Sequence, residues 1–151
     1  MAEDIFEPDF MTNQQQDMLR ETLALLEPKA EIAARLFCQR LFTTAPSLRF
    51  LFRTDLEVQG RKLLTGLKAI VSNLDDAEVL SEMVGPMGEQ HRGCGVKAWH
   101  YENAGEALLW TFEELLGARF TPQMLTAWRA AYRTISEAMI QGTRHEEFAS
   151  A

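Results

Sequence analysis

Residues 88–105 read GEQHRGCGVKAWHYENAG, a stretch with two of the chain's three histidines, and His91 is the candidate among them to hold a metal. It closes a run at helical spacing, glycines follow at positions 93 and 95, and a Trp-His-Tyr cluster opens the next pattern. Met87 lies one turn before His91, so both project from one helix face. At that spacing the imidazole can donate one N–H to the carbonyl of Met87. Such a bond fixes the tautomer and aims the other nitrogen outward, as a metal ligand requires. The glycines then let the chain turn sharply. A lone histidine in a helical protein is more often an ordinary surface or half-buried residue, and periodicity leaves both readings open.

Other catalytic patterns are missing. The chain has no phosphate-binding loop, no HExxH, and no Ser or Cys nucleophile beside an obvious base. Cys38 falls mid-pattern among apolar residues, where a cysteine behaves as a small hydrophobe.

The elements that must position His91 read as helices throughout. Thr12 and Gln15 form a capping box, and Met18, Leu19, Thr22, Leu23 and Leu26 follow at helical spacing. Pro28 is expected to open a second helix whose buried stripe is Ile32, Ala33, Leu36, Phe37, Leu41 and Phe42. Pro46 marks a short turn, PSLRFLF, packing large apolar groups into a corner. Thr54 and Glu57 suggest another capping box, for a helix reaching about Leu74. Asp75-Asp76 should start a shorter helix that reaches His91, bent at Gly85-Pro86. A further pattern runs from Trp99 to Leu116 and stops at Gly117. Thr121 and Pro122 open the last helix, with Leu125, Trp128, Tyr132, Ile135 and Met139 on one face. With no convincing strand, the fold class is all-α.

Opposite His91, the helix after Thr54 presents Gln59, Leu63, Gly66 and Leu67 on one face. Gly60 is a helix-interior glycine, costing about 1 kcal/mol against alanine unless close packing offsets it. The patch Ala30, Ala33 and Ala34 suggests where that close crossing occurs. A flat apolar cofactor between Gln59/Leu63 and Met87/His91 would account for both faces. A plain helical core with a non-ligating histidine satisfies the same periodicity.

Composition narrows the setting. The chain has 151 residues, 46% of them hydrophobic, enough for one domain with a sizeable core. Its formal charge of −7 disfavours nucleic acid and anionic membranes, which select clustered Lys and Arg. Cys38 and Cys94 form no paired framework, and the acidic start MAEDIFEPDF is not a signal peptide. The expectation is a cytoplasmic protein with a loose lead-in over 1–11 and a single domain over 12–151.

PSLRFLF, VQGRKLL, EQHRGCGVKAWHY and FTPQMLTAWRAAYRTI, in that order, resemble the bacterial single-domain globins and the globin domain of flavohaemoglobins, over about residues 12–142. The resemblance implies a globin fold with helices packed around haem b, and His91 as the iron ligand. Phe52 stands where the family carries an aromatic wedged against the haem, and Gln59 takes the ligand-facing place 32 residues before His91. Tyr101 matches a tyrosine beside the ligand histidine. Gln59, Cys38 and Leu63 would line the ligand pocket, with Phe52, Leu63, Met87, Tyr101 and Leu108 against the porphyrin. Lys62 and Arg92 are candidates for the propionates, though each is more often a solvated charge.

Two positions depart from the family. Cys38 replaces a frequent tyrosine, exchanging a good hydrogen-bond donor for a weak one. About Thr143, flavohaemoglobins carry a glutamate that supports the ligand histidine. The implied function is reversible binding of a diatomic gas, O2 first, with NO or CO also taken, for transport, storage or gas handling. Without a distal imidazole, ferrous iron is expected to be five-coordinate unless Lys62 or Cys38 ligates it. The rival readings are NO dioxygenation with a separate reductase as partner, a gas or redox sensor subunit, and a globin fold that has lost haem. No reductase domain is expected up to Ala151, and the protein is expected to be a monomer or weak homodimer.

Overall fold

Thr12 starts the first helix as a reciprocal cap: its hydroxyl accepts the Gln15 N–H and its own N–H donates to the Gln15 side chain, each at 3.1 Å. A computed structural model describes residues 12–51 and 56–150, and only the backbone of residues 50–51, 56–57, 59 and 142–150. Helix α1 spans Asn13–Leu26 and buries Leu19, Leu23 and Leu26. Pro28 does not open the second helix. It sits in a 3-10 turn over Glu27–Lys29, and α2 runs Ala30–Thr44. The Glu27 N–H still bonds Leu23, so the chain leaves α1 through a tightened turn instead of restarting at the proline.

The expected stripe of α2 is met at Ala33 and Leu41, which are buried, and at Leu36, Phe37 and Phe42, which are half-buried, but not at Ile32. Ala33, Ala34, Cys38 and Leu41 are enclosed, whereas Ile32 is 53% exposed. Side-chain volume decides this. Helix α3, Leu56–Val71, crosses α2 so closely that a Cβ on Gly60 would overlap the Cβ of Ala34. Only the alanine face admits that approach. Gly60→Ala gains about 1 kcal/mol of helix propensity but loses more to the overlap. We expect a net loss of about 1–3 kcal/mol by urea unfolding, partly recovered by adding Ala34→Gly. Unchanged stability in the single variant would contradict the crossing.

A 3-10 segment, Pro46–Leu51, follows α2 and places Leu48 in a small cluster with Leu41, Ala45 and Ala107. Phe52 and Thr54 lie outside the described residues. Helix α3 stops at Val71, short of Leu74, where the chain tightens and the Asn73 N–H bonds the Ile70 carbonyl at 3.0 Å.

Helix α4, Ala77–Gly93, is capped by Asp76, whose side chain accepts the Val79 N–H. It is no shorter than α3, at 17 residues against 16, and runs unbroken through Pro86. Pro86 and Glu82 are both exposed, so the carbonyl freed by the missing N–H faces water. Helix α5, His100–Leu116, ends at Gly117, which takes φ 54°. Helix α6, Pro122–Ser150, starts on Thr121, whose hydroxyl accepts the Met124 N–H.

All-α packing results, with no strand among the described residues. Trp128 of α6 and Phe112 of α5 meet edge to face at 4.9 Å in the main core. Helix α4 lies along α6, and α2 lies against both α3 and α5. No helix among the described residues is long and apolar enough to cross a membrane.

Candidate functional site at the end of helix α4

His91 occupies the last turn of α4 with its side chain exposed. Its Nδ1 lies 2.6 Å from the carbonyl of Met87, one turn back. A carbonyl only accepts, so Nδ1 carries a proton and donates, and in the neutral imidazole Nε2 is then the nitrogen with a bare lone pair. That is the electronic state of a metal-binding imidazole, held by the partner expected from spacing.

The turn after α4 folds back onto the same residue. Gly95 adopts φ 96°, in the left-handed region that favours glycine. That reversal brings the Val96 N–H to the His91 carbonyl at 3.0 Å, which also accepts the Cys94 N–H at 3.1 Å. Helix α5 then starts at His100, and the ring of Tyr101 stacks on His91 at 6.2 Å between centroids and 24° between planes.

Tyr101 is itself held from α6. The Tyr132 hydroxyl donates to the Tyr101 carbonyl at 2.6 Å. Gly105 permits this, since a Cβ there would come within 2.6 Å of the Tyr132 ring. Burial pushes both phenols above their ordinary range, with the neighbouring Tyr101 adding to the effect on Tyr132, so Tyr132 remains a donor at neutral pH. Tyr132 reads in the sequence only as part of an apolar stripe. The signal for its role was that a buried tyrosine hydroxyl needs a partner.

The remaining sequence-derived residues distribute unevenly. Leu63 and Met87 are half-buried at the edge of the main core, as is Met83. Gly66 is half-buried with open space where a Cβ would lie, while Leu67 turns inward to the core. Leu108 is enclosed in that core, and Cys38 is equally buried on α2. Burial raises the Cys38 pKa, keeping it a thiol. Lys62 and Arg92 are exposed. Phe52 and the side chains of Gln59 and Thr143 lie outside the described residues.

Among the described residues no three His, Cys, Asp or Glu side chains gather to hold a metal ion. A single bare imidazole nitrogen beside a flat aromatic and apolar side chains suits a metal carried by a flat cofactor better than a protein-only metal centre.

The globin family model matches residues 35–139, which includes α3, α4, the turn and α5. The chain belongs to the globin family. This globin is 30% identical over 126 residues to a flavohemoprotein of Bordetella pertussis, covering 82% of the chain and 31% of that protein. It is 34% identical over 128 residues to a flavohemoprotein of Bacillus cereus, again covering 82% and 31%. The globin thus spans about a third of the length of these curated relatives. Its fold resembles that of a hexacoordinated heme protein from an anhydrobiotic tardigrade, with TM-score 0.78 and 20% identity, covering 91% of this chain and 99% of that one.

Proposed function

We propose that this globin binds haem b through His91 and reversibly takes up a diatomic gas, O2 first, with NO and CO as further ligands. The observation that carries the reading is the Met87–His91 hydrogen bond, which leaves Nε2 bare on the exposed side. When bound, haem would supply an iron with a coordination position open to the gas.

The chain's own residues do the rest. His91 would donate Nε2 to the iron, its orientation held by Met87 and by the Tyr101 ring. Leu63, Met87 and Tyr101 would exclude water from the cofactor faces, together with Phe52 and Leu108. Lys62 and Arg92 would meet the propionates. Gln59 would hydrogen-bond the gas, with Cys38 and Leu63 beside it. Cys38 held as a thiol, and Lys62 out at the surface, both favour an iron left five-coordinate in the ferrous state.

An absorbance scan of purified protein tests the reading. A Soret band and a haem b pyridine haemochrome support it. Protein that stays colourless after haem is added would overturn it.

Gln59→Leu removes a neutral group with both donor and acceptor capacity. Losing one hydrogen bond of about 1–1.5 kcal/mol predicts roughly tenfold faster O2 dissociation. CO release should change much less, because bound CO is less polar. Stopped-flow dissociation rates check this, and equal effects on both gases count against the role.

The flavohemoprotein relatives favour a second reading as well. With a separate reductase supplying one electron, NO and O2 would combine to nitrate, atoms and charge balancing as one of each. Catalytic NO consumption under turnover with a reductant distinguishes this from simple gas binding. Cytoplasmic residence and a monomeric or weakly dimeric state belong to the same proposal.

A further inference from the structure

His100 takes no part in the site as proposed, yet it is only 6% exposed at the first position of α5. Its Nδ1 accepts the backbone N–H of Lys97 at 2.8 Å. A nitrogen that accepts has no proton, so the ring is neutral with its proton on Nε2. That Nε2 is buried and has no hydrogen-bond partner among the described residues. The Trp99 ring covers the imidazole, with centroids 3.8 Å apart. A buried, half-satisfied imidazole is costly, and here one nitrogen serves the backbone turn that follows His91.

We propose that His100 is a positioning residue for His91, a neutral-imidazole latch that closes the turn over residues 94–99 and releases it in acid.

The coupling follows from connected hydrogen bonds. The start of this turn is tied to His91, whose carbonyl accepts from Cys94 and Val96. Its end is tied to α5 by the Lys97 N–H to His100 and by the His100 N–H to the Lys97 carbonyl at 3.0 Å. Tyr101, the next residue, presents its ring to His91. One latch therefore holds both the backbone of the ligand histidine and the ring that orients it.

Protonation at Nδ1 removes the acceptor and sets an N–H against the Lys97 N–H. It also places a cation where the Lys97 ammonium and the positive end of α5 oppose it. Burial first, then the charge of Lys97, lower the His100 pKa from 6.5. The unfolded chain then binds the proton more readily than the folded one. The latch is fully stabilising above pH 6.5 and weakens as pH falls through the interval down to the folded-state pKa.

The test compares the wild-type chain with His100→Asn, whose side-chain oxygen can accept the same N–H without titrating. Histidine 15N NMR across a pH series should show His100 as the Nε2–H tautomer, titrating below 6.5, with the Lys97 amide following it. In the Asn variant the Lys97 amide should be flat over that range. The latch itself is read without cofactor, while its consequence rests on His91 being the haem ligand. In haem-loaded protein, transfer to an apoglobin acceptor should accelerate at least about tenfold from about pH 7.5 to about pH 5, with most of that acceleration absent in the variant. An Nδ1–H tautomer, a Lys97 amide indifferent to the titration of His100, or identical haem-loss profiles in the two proteins would overturn the proposal. A chain that takes up no haem but shows the NMR titration keeps the latch and removes only the gas-binding reading.

Discussion

His91→Gly is expected to cost this globin stable haem retention while leaving its fold nearly intact. The side chain is exposed and its one hydrogen bond runs to a carbonyl of its own helix, so little tertiary packing is lost. Exposed substitutions of this kind usually shift stability modestly, though glycine near a helix end adds up to about 1 kcal/mol. Haem retention should respond on another scale. Removing an outer partner of a metal ligand costs about 10–100-fold in metal affinity, and removing the sole protein nitrogen should exceed that. His100 is not free to substitute, being buried with Nδ1 engaged in the turn. Free imidazole should restore the Soret band of the glycine variant by entering the space left by the ring. Undiminished haem retention with an unchanged ferrous spectrum would remove His91 from the ligand role.

Gly88→Ala is expected to give the largest loss of stability among single-methyl additions to α4. Gly88 is buried three residues before His91, where α4 lies on α6. A Cβ there would overlap the carbonyl oxygen of Met139 and come within 2.8 Å of its carbonyl carbon. The obstacle is helix backbone, which cannot move aside as a side chain can, so α4 itself must lift. Such overpacking costs about 1–3 kcal/mol and at times more, against about 1 kcal/mol of gained helix propensity. A net loss of roughly 2 kcal/mol is expected. Gly85→Ala on the same helix meets nothing within 4 Å and should be neutral or stabilising. Lifting α4 also displaces His91 from Tyr101, so haem affinity should fall in Gly88→Ala and hold in Gly85→Ala. Urea unfolding and haem titration of the two variants check this. Equal stabilities would show that α4 does not depend on this contact.

Features that depend on neighbours within a turn or two were legible in the chain before folding. The Thr12 and Thr121 caps, the stop at Gly117 and the Met87–His91 bond span three or four residues, and helical spacing alone brings those groups together. The close crossing at Gly60 was legible for a different reason, since a costly helix-interior glycine implies that something occupies the place of its side chain. Other features needed the assembled molecule. Ile32 fits a buried stripe as well as Ala33 does by spacing, and only the packed helices leave Ile32 outside it. Pro86 reads as a bend, yet its place on the solvent side lets water satisfy the freed carbonyl and α4 continue. Tyr132 reaches the Tyr101 carbonyl across 31 residues of sequence, through a gap left by Gly105. No local pattern encodes such a bond, because it exists only once α5 and α6 are packed. The candidate ligand histidine was thus visible from its own helix, and the turn after it from its glycines, whereas the aromatic ring that faces His91 is held through contacts between helices, which a periodic pattern does not specify.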